Sequence, residues 1–294
     1  MEIARLKLIP VLIACLVALL MGCVVIPERS LVLGRHTHLE TVETFCPDES
    51  GVPACLPAGT PNAASTLNPE RFSLMNWNML KGRRQGWRKD FDRLSQGSDV
   101  ILLQESHLTE ELRGALRAAK VNWNLATAFK YRDMEVGVLT ASEIAPGANF
   151  MHRFNEPLLN IPKTSLFTWF SFSSRPSDLV IVNVHAVNFT VDTDHYKNYW
   201  QQLESILETH DGPLIVAGDF NTWNAQRFKI VSNTARHLGL QAVRFKPDRR
   251  IRIFNQVVDH VYYRGLVPLH AVVHEVATSD HNPMLVTFKL ADAN

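Results

Sequence analysis

Five short apolar runs in this chain end on a polar residue and a sixth begins just after a polar cluster, a recurrence that restricts the fold more than any other feature. Met75-Asn76-Trp77 closes on Asn78, the run from Val100 on Glu105, and the run from Val180 on His185. Leu214-Ile215-Val216-Ala217 leads into Gly218-Asp219-Phe220-Asn221, Val257-Val258 leads into Asp259, and Ser279-Asp280-His281-Asn282 stands before the run from Pro283. Runs this short and this rich in Val, Ile and Leu suit buried strands, not helices. Strand ends line the ligand crevice of an open α/β sheet, so these polar residues are placed to converge. Singly, each has a plainer reading. An Asp after Gly turns or caps, Glu105 suits the cap of a following helix, and a lone strand-end histidine is more often structural. Their joint order is what the plainer readings leave unexplained.

Strand patterns cover residues 72–78, 99–105, 134–140, 166–172, 179–185, 213–219, 257–263 and 283–288, and helical periods cover 109–119, 194–209 and 225–238. Over 194–209, Tyr196, Tyr199, Trp200, Leu203, Ile206 and Leu207 share one face, which makes those aromatics core and not a base-stacking platform. Strands with helices interspersed favour a layered α/β (α+β) sandwich over a bundle. Hydrophobic residues make up 46% of 294 positions, enough to bury one large core. Lys and Arg total 30 against 29 Asp and Glu, and removing residues 1–22 takes away Arg5, Lys7 and Glu2 to leave 28 of each. Any attraction for phosphate is therefore local.

Arg5 and Lys7 precede an apolar run over 8–22 that is short for a membrane span and suits a signal segment. The run ends in Leu20-Met21-Gly22-Cys23, which resembles a bacterial lipobox with Cys23 as the acylated residue; an uncleaved signal anchor is the alternative. Either reading puts the remainder in the bacterial cell envelope, extracytoplasmic and tethered to the membrane. Residues 23–69, rich in Pro, Gly, Ser, Thr and Ala, read as tether and N-terminal arm, and 70–294 as the globular domain. Cys46 and Cys55 either close a short disulfide in an oxidising compartment or stay as free thiols. A zinc site at that pair has only His36 and His38 as further candidates.

The order Asn78, Glu105, His185, Gly-Asp-Phe-Asn at 218–221, Asp259 and Ser-Asp-His at 279–281 resembles the endonuclease/exonuclease/phosphatase superfamily, over roughly residues 70–290. That superfamily includes DNase I-like nucleases, abasic-site endonucleases, inositol-polyphosphate phosphatases and bacterial sphingomyelinases. The stretches 183–189, 217–221 and 258–266 are similar to its YafD-like bacterial branch. The resemblance implies a DNase I-like four-layer sandwich, two central mixed β-sheets flanked by helices, and the hydrolysis of a phosphoester with Mg²⁺ (or Mn²⁺). Such a reaction needs charge neutralisation, an activated water and a stabilised leaving oxygen. Glu105 supplies a hard oxygen ligand for the metal, with Asn78 and Asp280 on the metal side. The resemblance further implies that Asp219 orients or deprotonates water and that Asn221 donates to a phosphoryl oxygen. His281 contacts the phosphate, its tautomer fixed by Asp259, and His185 protonates the leaving group. His260 departs from the family pattern; its strand neighbour Asp259 faces the site, so His260 faces away and is structural.

Two basic stretches, Lys81 to Lys89 and Arg244 to Arg252, flank site strands. From them Lys81, Arg84, Arg249 and Arg250 are candidates to grip substrate phosphates, against the plainer reading of solvated loops. Nucleic acid is the foremost substrate class, with phosphatase or phosphodiesterase action on lipid head groups or inositol phosphates as the alternative. No exposed aromatic hairpin like those of membrane-active sphingomyelinases is legible, and nothing implies a protein partner. A non-catalytic binding module of the same fold is the reading from another class; it would lack one of Glu105, Asp219 or His281, and all three are present.

Overall fold

The computed structural model describes residues 24–27, 30–34, 39–42, 66–157, 161–173, 178–190 and 193–292. The 8–22 run and Cys23, Cys46 and Cys55 lie outside the described residues, and with them the export, lipidation and disulfide expectations. No helix among the described residues is long and apolar enough to cross a membrane.

Two mixed sheets form the centre. The nine-stranded sheet runs β16 (Leu266–Val273), β17 (Met284–Leu290), β4 (Phe72–Asn78), β5 (Val100–His107), β7 (Met134–Ser142), β6 (Asn122–Tyr131), β2 (Leu31–Gly34), β3 (Leu39–Val42), with β1 (Val24–Val25) also on β6. The six-stranded sheet runs β12 (Gln241–Ala242), β15 (Asp259–Arg264), β11 (Leu214–Asp219), β10 (Asp178–His185), β9 (Pro162–Ser171), β8 (Ala148–Asn155). A separate hairpin pairs β13 (Arg252–Ile253) with β14 (Gln256–Val257). Each sheet holds one parallel pair, β4 with β5 and β10 with β11. Parallel neighbours need a long crossover, supplied by helices α1 (Trp87–Ser95) and α3 (Asp194–Leu207). Helix α2 (Glu110–Ala118) follows β5, and α4 (Ala225–His237) follows β11.

Side-chain alternation explains the layering. Phe72 and Leu74 of β4 and Val100 and Leu102 of β5 meet Leu179 and Ile181 of β10 and Ile215 and Ala217 of β11 between the sheets. The opposite faces take the helices. Met75, Trp77, Ile101 and Leu103 bury against Phe91 of α1 and Leu112 and Leu116 of α2, while Val180, Val182 and Val216 bury against Tyr196, Tyr199 and Leu203 of α3 and Val231 of α4. The result is helix, sheet, sheet, helix: the four-layer sandwich expected from the sequence.

Towards one end of the inter-sheet core the inward row turns polar. Gln104 Nε2 donates to Asn76 Oδ1 at 2.9 Å and to Asn183 Oδ1 at 2.7 Å, and Asn183 Nδ2 returns a bond to Leu139 O at 2.9 Å. These buried amides tie β4, β5 and β7 to β10. Two residues further along β4 and β10, the same faces carry the site residues Asn78 and His185.

The structure departs from the sequence reading in four places. Part of the 23–69 arm belongs to the fold: Leu31 and Val32 are buried in β2, which pairs with β6, and buried Leu67 bridges Phe172. Strands β6, β8 and β16 lie outside the sequence-read strands: polar residues interrupt β6 and β8, and β16 carries Pro268, next to which its register with β17 shifts. Arg88 and Lys89, read as part of a basic loop, lie on α1, where Trp87, Phe91 and Leu94 supply the buried face. An exposed aromatic hairpin does exist: Phe254, 82% exposed, sits with Asn255 at the tip between β13 and β14, both at positive φ as a tight two-residue turn requires.

Helix α4 carries a guanidinium into the interior. Arg227 is 1% exposed and its nitrogens donate to Val187 O (3.0 Å), Asn221 O (3.1 Å), Asn188 O (2.7 Å) and Thr190 Oγ1 (2.6 Å), between the rings of Tyr196 and Trp223. Buried Glu156 holds the same loop from its other side, accepting from Asn188 N at 2.6 Å and Phe189 N at 3.3 Å. Arg227→Met leaves several carbonyls unpaired, and we expect it to cost about 3 kcal/mol, measured as a lowered urea midpoint with unchanged m-value.

Candidate active site

Register places the site residues in a row. Across the six-stranded sheet His185 pairs with Asp219 and Asp219 with Asp259, so three adjacent strands present these side chains on the inward face. Asn78 lies opposite, beside Gln104 in the other sheet. Gly218 makes the row possible. Its φ is +145°, and a Cβ there would lie 1.9 Å from Val184 O, so only glycine lets β11 approach β10 this closely.

Asp219 is the hub. Its Oδ2 accepts from Asn78 Nδ2 at 3.0 Å and lies 3.8 Å from His281 Nε2 and 3.7 Å from His185 Nε2, while its Oδ1 accepts from Asn221 N at 3.0 Å. Burial is the main influence on this carboxyl, and with Asp259 close by its pKa is pushed up to about 6 against the pull of His281. Asn221, at φ +53°, gives one amide proton to Ala186 O at 3.0 Å and keeps a second donor.

His281 reaches the hub from the loop before β17. Its Nδ1 bonds Asp259 Oδ2 at 2.8 Å, and its backbone is held by Trp77 Nε1 on its carbonyl (3.2 Å) and by Ser279 Oγ under its N–H (3.2 Å). Ser279 Oγ in turn donates to Asn78 O at 2.7 Å, locking this loop to the end of β4. Burial opposes charge on the imidazole, yet Asp259 and Asp219 hold its pKa at about 10, so it is an imidazolium.

Glu105 is aimed by a defect in β5. Regular alternation turns residue 105 toward the helices, but the ladder slips between Leu103 and Ser106, and Glu105 takes φ +50°. A bulge of this kind re-aims a side chain at a site edge. The carboxylate then meets the Lys81 ammonium. Although burial raises its pKa, the charges of Lys81 and Lys163 win and hold it below the ordinary carboxylate range.

Two candidate ligand groups follow. Asp219, Asp259 and His281 offer atoms within 4.8 Å of one another, and Asp259 Oδ1 is buried without a partner. An imidazolium is no ligand, however, and His281 already compensates that pair of carboxylates. Glu105 is better suited: the cation bonded to it, Lys81, is a long, partly exposed lysine, and its hard oxygens and the adjoining Asn78 amide match a Mg²⁺ donor set.

Of the remaining sequence candidates, Asp280 is exposed, 3.4 Å from Ser279 Oγ, and outside the cluster. Lys81 faces the site. Arg84 is bonded to Ala277 O (3.2 Å) and Ser279 O (2.6 Å), Arg249 to Glu275 (2.7 Å), and Arg250 to Asp248 (2.8 Å) and Asp259 O (3.1 Å). Those three arginines brace the loops that carry the site. His260 is buried on the helix side of β15, bonded to Thr222 Oγ1 at 2.6 Å, as expected for a structural residue. Lys163, the second residue of β9, was missed, and its Nζ lies 2.9 Å from His185 Nε2. The only hint in the sequence is a lysine directly after Pro162 at the head of an apolar run.

Comparison with known proteins agrees with this architecture. The model of the endonuclease/exonuclease/phosphatase family matches residues 75–281. A UPF0294 protein of Vibrio parahaemolyticus is 35% identical over 222 residues, covering 75% of this chain and 79% of the relative. One from Yersinia pseudotuberculosis is 33% identical over 263 residues, covering 90% and 99%. Among solved structures, an endonuclease/exonuclease/phosphatase family protein from Leptotrichia buccalis is similar with a TM-score of 0.59 at 13% identity, covering 74% of this chain and 100% of that one. ANGEL2, described as a 2',3'-cyclic phosphatase, gives 0.60 at 16% identity, covering 76% and 97%. At these identities the solved structures share the fold.

Proposed function

This chain belongs to the endonuclease/exonuclease/phosphatase family, and from that membership we propose that it is a divalent-metal-dependent phosphodiesterase with nucleic acid as its foremost substrate. One observation carries the reading: a single buried carboxylate oxygen, Asp219 Oδ2, is faced at once by Asn78, His281 and His185. A structural aspartate needs one or two donors; this one is surrounded by groups suited to water and phosphate.

Asp219, with its pKa raised toward neutrality, takes a proton from the attacking water. Asn78 fixes the carboxylate's orientation. His281, kept charged by Asp259, presents Nε2–H to a phosphoryl oxygen and stabilises the charge that grows there. The free amide proton of Asn221 offers a second donor. Glu105 and Asn78 would hold the ion, which when bound supplies Lewis-acid polarisation of the phosphoryl group.

The test is an assay of the purified chain with Mg²⁺ or Mn²⁺ on plasmid DNA, abasic duplex, RNA, sphingomyelin, phosphoinositides and bis(p-nitrophenyl) phosphate. We expect diester cleavage that EDTA abolishes. Glu105→Gln should lose several kcal/mol of transition-state stabilisation, about 10²–10³-fold in rate. Retained activity in EDTA sinks the metal assignment, and cleavage of the lipids alone sinks the choice of nucleic acid. We further propose an extracytoplasmic, membrane-tethered enzyme, supported by the 8–22 run and Cys23. Fatty-acid labelling that persists in Cys23→Ser contradicts the tether, and a periplasm-dependent reporter that stays silent contradicts export.

A further inference from the structure

Lys163 and His185 are paired in a way that decides where a proton sits. An ammonium has protons to give and no lone pair, so His185 Nε2, 2.9 Å from Lys163 Nζ, is the acceptor and carries no proton. Burial, reinforced by Lys163, Lys81 and His281, holds the His185 pKa well below its usual value, which keeps the ring neutral. The mobile proton on this flank of Asp219 therefore stands on Lys163. Burial also lowers the Lys163 pKa from its usual value, which eases loss of that proton, against the opposing pull of Glu156, Glu105 and Asp219.

Lys163, His185 and Glu105 share the wall of a cavity of about 200 Å³ whose apolar side is made by Phe129, Pro162 and Phe189. That volume is below the ~300–1,000 Å³ of sites for drug-sized ligands. It fits one ring- or sugar-sized group and lies on the His185 side of the hub, across Asp219 from His281.

We propose that Lys163 is a further catalytic residue, the proton donor to the leaving oxygen, and that this cavity receives the leaving group as a single sugar- or ring-sized moiety. The assignment rests on the phosphodiesterase reading. The water oxygen bonds to phosphorus as one water proton passes to Asp219. The bond from phosphorus to the leaving oxygen breaks, and that oxygen's electron pair takes a proton from Lys163 Nζ. The neutral amine, steadied by His185, regains a proton from solvent while Asp219 releases one, so the net change is addition of one water.

The experiment compares a poor and a good leaving group, dithymidylate and bis(p-nitrophenyl) phosphate, in wild type, Lys163→Met and Lys163→Arg. Nitrophenolate leaves without a proton; a sugar alkoxide does not. Both variants should lose about 10²–10³-fold in kcat on dithymidylate and less than about 10-fold on the nitrophenyl ester. Arginine keeps the charge but cannot act as an acid, so recovery of dithymidylate cleavage in Lys163→Arg overturns the donor role. Equal losses on both substrates overturn it as well and leave the phosphodiesterase reading standing. A wild type inactive on both esters overturns that reading and this assignment together.

Discussion

Asp219→Asn should lower kcat about 10³–10⁴-fold on any phosphodiester the enzyme cleaves, with KM little changed. Asparagine has the same shape, but it cannot take a proton. It also removes one of the carboxylate charges holding His281 as an imidazolium and sets an amide against Asn78 Nδ2, which now bonds the carboxylate. Stability should move the other way. The Asp219 carboxyl is pushed from 3.8 to about 6, so its charged form is disfavoured in the fold. For an acid whose pKa is raised on folding, stability is full below the unfolded value, falls as pH rises through the folded one, and stays reduced at pH 7. That loss is up to roughly 3 kcal/mol. Asparagine is free of it, so the variant should unfold at the same or higher urea concentration. A variant that is both inactive and destabilised would make Asp219 a structural residue.

The second large effect concerns acid. His260 is buried against Thr222, whose hydroxyl donates to Val257 O at 2.6 Å, and burial lowers its pKa from 6.5 to about 3. A histidine depressed on folding gives stability that is complete above 6.5 and is lost as pH falls toward 3, up to roughly 4–5 kcal/mol in all. Asp219 works against this between about 6 and 3.8, because there the native state takes up its proton first. Comparison with His260→Gln separates the two. Between pH 7 and pH 3 the unfolding free energy of the variant should gain on wild type by about 4 kcal/mol. Parallel pH profiles would show that His260 is not buried neutral.

How much was legible depends on whether a residue's role follows from its own strand. Asn78, His185, Asp219 and Asp259 close regular runs, so alternation alone sets their direction, and register then aligns them. Glu105 was legible as a strand end but not in its aim, which comes from a ladder slip that leaves no mark in composition. Lys163 escaped because β9 begins ahead of its apolar stretch, and its partner His185 is on the neighbouring strand. Arg227 on a helix looks like a solvated charge; only the loops folded over it show otherwise. The arginines at 84, 249 and 250 illustrate the reverse error. Each reads as a phosphate grip, yet Arg84 and Arg249 are bonded to the loop before β17, through Ser279 O and Glu275, and Arg250 to Asp248 of its own loop.

The left-handed backbone at Glu105 and Asn221 has a consequence for redesign. A side chain in that region costs about 1–2 kcal/mol relative to glycine, so any procedure that scores only how well a sequence suits this backbone will substitute glycine at both positions. The redesigned chain would be easier to fold and stripped of a carboxylate and an amide at the crevice. Disagreement between the residue a backbone prefers and the residue it carries is therefore a usable map: applied to folds with no recognisable motif, it marks where to look for chemistry.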